Sequence, residues 1–297
     1  MLRLYAGLIG LSLIWGFSFI FIKVLTDAVG PWGTVFLRCL SGALLLIPFL
    51  WLKRKQIAKP LPWKHLIVVG LFNAGLPWGL IALSETQINT NTASVLNALT
   101  PICTALIGFL LFSKLLTKRQ WTGIFIGFIG ILILIDFNIS VVFGQNFIGV
   151  GTMFIATLCY GFGSQYTQKH LRGTGLLVIT TYSLIVGTVS GLIGMLITGG
   201  IPVAVEINYA LIISIIGLGC LGSGVAHVLY YYLMTEGSAE FATTVTYLVP
   251  VTAMIWGFVI LGEPVTSHLI LGLVVIFFGI YFSNRAGKPI KEPAVRV

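Results

Sequence analysis

The sequence predicts an all-α membrane protein with ten transmembrane helices arranged as two inverted five-helix repeats. Three observations predict this fold: the chain is very apolar, its polar clusters separate ten apolar stretches, and its second half repeats features of the first. Of its 297 residues, 57% are hydrophobic and 8% are charged, against roughly 25% charged in a soluble domain. This composition argues against a soluble enzyme, a disulfide scaffold and a disordered chain.

Ten apolar stretches have about the length that an α-helix needs to cross the hydrocarbon core, which is roughly 20 residues. The first stretch follows Arg3, as a secretory signal would, but it is longer than a signal core and has no clear cleavage site. We therefore expect it to be retained. The predicted spans are Leu4–Ile22, Trp32–Leu52, His65–Ser84, Thr92–Phe112, Gln120–Ile135, Phe147–Ser164, Leu176–Ile197, Ala210–Tyr232, Phe241–Leu261 and Ser267–Ser283.

The lysines and arginines predict the orientation of these spans. Short loops rich in basic residues stay in the cytoplasm, and all basic residues except Lys23 and Arg38 lie near the termini or after even-numbered spans. We expect a multi-pass protein of the cell inner (plasma) membrane with both termini cytoplasmic. The net charge of +9 then follows from topology and not from nucleic-acid binding. The loop after the eighth span departs from the pattern, because Glu236 and Glu240 have no cation beside them.

The two halves of the chain are similar to each other. At an offset of 149, residues 93–132 align with residues 242–281 without a gap, with Pro101 opposite Pro250 and three glycine pairs in register. A weaker match at an offset of 145 sets Leu13 on Leu158. Each repeat holds five spans, an odd number, so the second copy enters the membrane in the opposite orientation. We predict a first repeat at 1–140 and a second at 141–297, which ends in a basic cytoplasmic tail.

Polar side chains inside the spans are the candidate substrate-binding groups, because a polar group in hydrocarbon must be paired or must face a wet cavity. Two symmetry-related spans each carry two such groups before a proline, which frees the carbonyl four residues earlier. A substrate contact and a kinked helix whose polar groups satisfy one another are both open interpretations. The groups are Ser94, Asn97 and Pro101 in the fourth span, and Thr243, Thr246 and Pro250 in the ninth.

Arg38 and His227 are ionisable residues placed well inside predicted spans. A buried guanidinium needs a partner, which a carboxylate-bearing substrate would supply; snorkelling to the outer interface is the alternative. His227 lies one turn after Ser223, beyond a glycine-rich stretch that we expect to pack closely. This histidine is either a proton relay or a hydrogen-bonded structural residue.

Aromatic, hydroxyl and amide groups complete the predicted lining, although Trp78 can also be read as an interfacial anchor. The further lining candidates are Trp15, Ser18, Asn73, Trp78, Tyr160, Gln165 and Tyr247.

Glycine pairs in the fifth and seventh spans have the spacing of closely packed helices. They are Gly123 with Gly127 and Gly187 with Gly191.

The sequence has no His-Glu-x-x-His motif, no P-loop and no His or Cys pair at metal-ligand spacing, so we expect no cofactor, no metal and no enzymatic activity. A membrane-embedded hydrolase that uses Ser223 and His227 is a remote alternative, since no acid or oxyanion partner is visible. Five acidic residues lie at or near the predicted outer ends of spans: Asp27, Glu85, Asp136, Glu206 and Glu263. No central carboxylate for proton coupling is therefore expected, unless Glu85 lies deeper than its span boundary indicates.

Several motifs match a known family. They include the run Leu13-Ile-Trp-Gly-Phe-Ser, Arg38, Pro101, and the block from Tyr247-Leu-Val-Pro-Val-Thr-Ala to Gly262-Glu263-Pro264. On these residues the chain resembles the EamA family of ten-helix carriers in the drug/metabolite transporter superfamily, over nearly its whole length. The first repeat departs from the pattern, because it reads Ser113-Lys114-Leu115 where Gly-Glu is usual.

The resemblance implies a central cavity lined mainly by spans one, three, four, six, eight and nine, and transport of amino acids or other small metabolites. We therefore expect a secondary transporter that moves an amino acid or related compound by alternating access, in export or exchange. A drug-efflux or nucleotide-sugar type carrier of the same fold is the alternative. The expected partners are a small-molecule substrate and the lipid bilayer, and the chain is expected to be a monomer or a homodimer.

Overall fold

The computed structural model describes residues 2–54, 60–88, 90–134, 147–199, 207–261 and 267–284, and all regular structure within these ranges is helical. Six helical segments there are long and apolar enough to cross a membrane. Large apolar side chains also cover the outer surface; Leu110, Phe125 and Ile197 are 71%, 64% and 79% exposed. A soluble monomer rarely exposes so much contiguous apolar surface, which indicates that these helices face lipid.

Helix α1, Leu2–Leu52, joins the first two predicted spans. Gly30, at φ 75° and ψ 172°, breaks the helical geometry between them, and residues with a side chain rarely adopt this φ. The rest of the first half comprises α2 (Trp63–Gly70), a π-helical stretch (Leu71–Gly75), α3 (Leu76–Glu85), α4 (Thr90–Asn97), α5 (Thr100–Phe112) and α6 (Lys118–Leu134).

The second half is divided in a similar way. The eighth predicted span contains a π-helical stretch at Ile216–Val225, and the ninth is interrupted at Thr244. The elements are α7 (Phe147–His170), α8 (Leu176–Thr198), α9 (Tyr209–Ile215), the π-helical stretch, α10 (Ala226–Glu236), α11 (Ala239–Thr243), α12 (Val245–Trp256), a π-helical turn (Gly257–Leu261) and α13 (Ser267–Asn284).

Several sequence-based predictions lie outside the described residues. They are the end of the fifth span at Ile135, the Gly262-Glu263-Pro264 motif, and the basic residues Lys55, Lys59, Arg285, Lys288, Lys291 and Arg296.

The first two π-helical stretches are separated by one of the offsets that the sequence predicts for the repeat. They begin at Leu71 and Ile216, which is the same offset of 145 that relates Leu13 to Leu158. Within the second stretch, Gly222 O accepts a hydrogen bond of 3.0 Å from Trp15 Nε1. The π-helical stretch thereby joins the second half of the chain to α1.

Glycines allow the helices to approach closely, as their spacing predicts. A Cβ on Gly191 would lie 2.6 Å from Phe36 N, and one on Gly279 would lie 2.6 Å from Gly127 N. The second contact belongs to the packing of α6 against α13. The glycine-rich stretch before His227 packs on α1 in the same way, since a Cβ on Gly222 would lie 2.7 Å from Ser18 Oγ.

One end of the molecule gathers polar residues from several loops that the basic residues predict to be cytoplasmic. Lys114 Nζ lies 3.5 Å from Glu240 Oε1 and also binds Gln168. His65 Nδ1 lies 2.8 Å from Tyr166 OH, and its ring stacks on His170. The expectation that Glu240 has no nearby cation is therefore wrong: Lys114 supplies one from the loop after the fourth span, which is distant in sequence.

We predict that Gly42→Ala destabilises the protein and that Gly10→Ala, in the same helix, does not. A Cβ on Gly42 would lie 2.7 Å from Gly219 O, whereas one on Gly10 meets nothing within 4 Å. Overpacking typically costs about 1–3 kcal/mol, so the melting temperature of Gly42→Ala should fall by several degrees. Thermal unfolding in detergent, followed by exposure of the buried thiols to a fluorescent reagent, measures this. Equal melting temperatures for the two variants would contradict the packing.

Candidate functional site

A cavity lies where helices from both halves of the chain meet, and it is partly open. Its walls come from α1, α3, α4 and α5 in the first half and from α7, α10 and α12 in the second. The lining residues are Trp15, Ser18, Phe19, Ile22, Arg38, Trp78, Ile81, Asn97, Thr100, Tyr160, His227, Tyr230, Thr246 and Val249.

Arg38 is the cation of this cavity, and only 4% of its surface is exposed. Its Nε donates a hydrogen bond of 3.0 Å to Ser223 Oγ, and its Cζ lies 3.7 Å from the centroid of the Trp78 ring. Within the described ranges, no other protein group accepts a hydrogen bond from the guanidinium and no carboxylate forms an ion pair with it. Because an unpaired buried charge costs several kcal/mol, the two Nη groups need a partner in the cavity.

Ser223 holds Arg38 because its hydroxyl proton is used elsewhere. Its Oγ donates to Leu218 O at 2.9 Å, five residues earlier in the π-helical stretch, which leaves the lone pairs of the oxygen for Arg38 Nε. Ser223 therefore makes no hydrogen bond to His227 in this structure. The serine–histidine pair that a hydrolase would need is not formed.

Aromatic rings form much of the remaining wall. The His227 ring lies 4.8 Å from Trp78, almost perpendicular to it, and 5.7 Å from Trp15. Trp78 thus contacts both a histidine and the Arg38 guanidinium. Tyr230 also lines the cavity, and its hydroxyl lies 2.6 Å from Ser164 Oγ. Such a wall can pack against an apolar or aromatic part of a ligand.

Polar groups near the two prolines form another part of the wall. Thr100 Oγ1 donates to Asn97 O at 2.6 Å, and Thr246 Oγ1 donates to Thr243 O at 2.7 Å. The carbonyl that Pro101 frees at Asn97 is therefore satisfied by a neighbouring hydroxyl. This favours, at Asn97, the interpretation in which polar groups of a broken helix satisfy one another, while the Asn97 and Thr246 side chains still line the cavity.

The cavity brings together Trp15, Ser18, Arg38, Trp78, Asn97, Tyr160, His227 and Thr246 from the predicted set. Five predicted residues are buried or packed elsewhere. Gln165 Nε2 donates to Thr104 O and Glu240 Oε1, Asn73 Nδ2 reaches Thr167 and Tyr231, and the Tyr247 ring packs beside Gly127. The other two are Ser94, which is 2% exposed, and Thr243, whose hydroxyl binds Ala239 O.

The break at Thr244 explains why the Thr246 side chain lines the cavity and the Thr243 side chain does not. An uninterrupted helix would put both on one face, but α11 ends at Thr243 and α12 begins at Val245.

The lining residues that were not predicted from the sequence follow predicted lining residues at helical spacing. Tyr230 follows His227, Ile81 follows Trp78, Val249 follows Thr246 and Thr100 follows Asn97, each by three residues. Phe19 follows Trp15 and Ile22 follows Ser18, each by four residues.

The sequence profile of the EamA-like transporter family matches residues 3–136 and 147–285. The chain belongs to this family. It is therefore a multi-pass membrane transporter of the EamA type, in agreement with its apolar helices and with the resemblance seen in its motifs.

Related proteins cover nearly the whole chain. The "Uncharacterized transporter YoaV" of Bacillus subtilis (strain 168) is 23% identical over 96% of this chain and 97% of its own length. The "Uncharacterized inner membrane transporter YedA" of Escherichia coli (strain K12) is 26% identical over 100% and 97%. A solved crystal structure matches with a TM-score of 0.73 at 18% identity, over 94% of this chain and 96% of the other, which establishes the fold alone.

We predict that a cysteine replacing Thr246 reacts with a small water-soluble thiol reagent at least about ten-fold faster than one replacing Thr243. Both threonines are buried and bind a backbone carbonyl, but only Thr246 lines the cavity. A thiol in a wet cavity is accessible as thiolate, whereas one packed among helices is not. Mass spectrometry of each variant, in a background with the native cysteines replaced by alanine, measures the rates. Equal rates would contradict the cavity's position.

Proposed function

We propose that this EamA-family protein is a secondary transporter that moves a small carboxylate-bearing metabolite, an amino acid or related compound, by alternating access, in export or exchange. The observation that carries the proposal is Arg38: a buried guanidinium at the cavity wall with its Nη groups unpaired among the described residues. The same proposal assigns substrate contact to the cavity-lining residues from both halves.

A carboxylate is the ligand that this arrangement suits. The guanidinium donates parallel hydrogen bonds that match the two oxygens of a carboxylate. With Nε held by Ser223 and the ring of Trp78 beneath Cζ, the Nη edge is oriented before the substrate arrives. The aromatic rings of Trp15 and Tyr230 would then contact the apolar part of the substrate.

For the transport cycle we propose the two inverted repeats, at 1–140 and 141–297, as the moving units, with both termini in the cytoplasm. The family profile matches in two blocks, 3–136 and 147–285, and the π-helical stretches at Leu71 and Ile216 share the repeat offset. Both observations support a two-repeat organisation. The cluster around Lys114 and Glu240 supports a common side for the basic loops. The chain would act as a monomer or a homodimer.

A drug-efflux or nucleotide-sugar type carrier of the same fold is the second candidate, and the aromatic walls favour it. Phe19, Tyr160 and Tyr230 add to the two tryptophans and would suit a larger aromatic ligand. A membrane-embedded hydrolase has less support, because the Ser223 hydroxyl binds Leu218 and Arg38.

We predict that Arg38→Lys lowers the exchange of carboxylate-bearing substrates by at least about ten-fold and that of their neutral amides by less than about two-fold. Lysine keeps the positive charge but lacks the planar guanidinium that donates two parallel hydrogen bonds to a carboxylate. A hydrogen bond to a charged group contributes about 1.5–3 kcal/mol. Proteoliposomes with the purified transporter, screened with labelled amino acids and their amides, measure this.

Arg54→Lys is the matched control for this experiment, since the Arg54 guanidinium also stacks on a tryptophan, Trp51, but is exposed two residues beyond the end of α1. It should leave both classes of substrate unchanged. Equal losses for acids and amides in Arg38→Lys would assign Arg38 a structural role. Transport confined to large aromatic compounds without a carboxylate would favour the drug-efflux candidate.

A further inference from the structure

Glu85, the last residue of α3, has a buried carboxyl group without a hydrogen-bond partner. Only 2% of its surface is exposed, and both of its carboxyl oxygens are buried without a hydrogen-bond partner. The sequence predicts Glu85 near the outer end of a span, where water would solvate it. The structure places it inside the protein instead.

Glu85 lies beside the cavity. Trp78, Ile81 and Glu85 are at positions i, i+3 and i+7 of α3 and share one face, and the first two line the cavity. The carboxyl is thus one turn beyond the cavity wall, at the end where α1 carries Lys23 and Asp27. These two residues form an exposed ion pair with a separation of 3.2 Å.

The charged groups that act on Glu85 all come from α1. They are Lys23, Arg38 and Asp27. Of the other elements packed against α3, the stretch Leu71–Gly75 and α4 contain no ionisable side chain. Helices α7 and α8 contain cysteine, tyrosine, lysine and histidine side chains, but none of these acts on Glu85. The charges of Lys23, Arg38 and Asp27 therefore act on the carboxyl, but none of them forms a hydrogen bond or an ion pair with it.

A carboxylate in this position would have neither water nor a hydrogen-bond donor, so the neutral acid is the favoured form here. If the Lys23–Asp27 end opens, water reaches the carboxyl and the two cations stabilise its ionised form. The charge of Glu85 then depends on which conformation the protein adopts. Such a dependence is what couples a proton to a conformational cycle.

We propose that Glu85 is a proton-binding site that couples transport to a proton gradient. In the closed conformation the carboxyl holds its proton. When the Lys23–Asp27 end opens, the O–H bond breaks, the proton passes to water, and the positive charges of Lys23 and Arg38 stabilise the carboxylate; closure requires a proton to return. The assignment rests on the proposed transport function, and it replaces the sequence-based expectation that no carboxylate serves proton coupling.

A chemical test of this site needs no substrate. Dicyclohexylcarbodiimide modifies protonated carboxyls in apolar surroundings, so at neutral pH it should label Glu85, found by peptide mass spectrometry, and should not label the exposed Asp27. A water-soluble carbodiimide with an added amine should show the opposite preference. Glu85 left unmodified by the apolar reagent would overturn the proposal, even if the protein transports amino acids.

The coupling itself is tested in proteoliposomes with whichever amino acid passes the exchange assay above. Glu85→Gln should keep exchange within about two-fold of the unmodified protein while losing at least about ten-fold of the flux driven by a pH gradient. Glu85→Asp, which keeps the titrating group, should retain a pH response. Glu236→Gln, which removes an exposed carboxyl at the end of α10, is the matched control and should also retain it. An unchanged response to the pH gradient in Glu85→Gln would overturn the coupling role, whereas a protein in which no compound exchanges would overturn the transport proposal instead.

Discussion

The structure depends on how a positive charge is accommodated inside a protein whose outer surface faces lipid. Arg38 is held by one hydrogen bond to Ser223 and by the Trp78 ring. Ser223 is oriented by the hydrogen bond that its hydroxyl donates to Leu218 O, and the glycines beside it bring this stretch against α1. The cavity therefore gives the Arg38 guanidinium a position away from hydrocarbon. Its Nη groups have no partner there among the described residues.

Sequence reasoning located the polar groups better than it located their partners. Apolar stretches predict spans, and a polar residue within a span must face inward, so Arg38, Trp78, His227 and Asn97 could be found without a structure. Helical spacing also relates Tyr230 to His227. The rotation of one helix against another is not encoded in this periodicity. The pairing of Arg38 with Ser223, across 185 residues, therefore needed the structure.

Breaks in the helices account for other differences. Thr243 and Thr246 would share a face in an uninterrupted helix, but the break at Thr244 separates them. The boundary of a span is also poorly defined by composition, because one turn moves a residue from interface to interior. Glu85 is such a case: its sequence neighbours Thr86 and Gln87 are exposed, yet its own carboxyl is enclosed by the fold. The family profile, which covers both halves, defines the fold and leaves these residue-level features to the structure.

The central claim is that Arg38 presents a positive charge to a wet cavity, and the charge preference at a neighbouring thiol tests it most directly. In Thr246→Cys protein, an anionic methanethiosulfonate should react faster than a cationic one, since a charged cleft concentrates ions of opposite sign by about ten-fold or more. This preference should disappear when Arg38→Gln is added and persist when Arg54→Gln is added. The same preference in all three proteins would contradict the account.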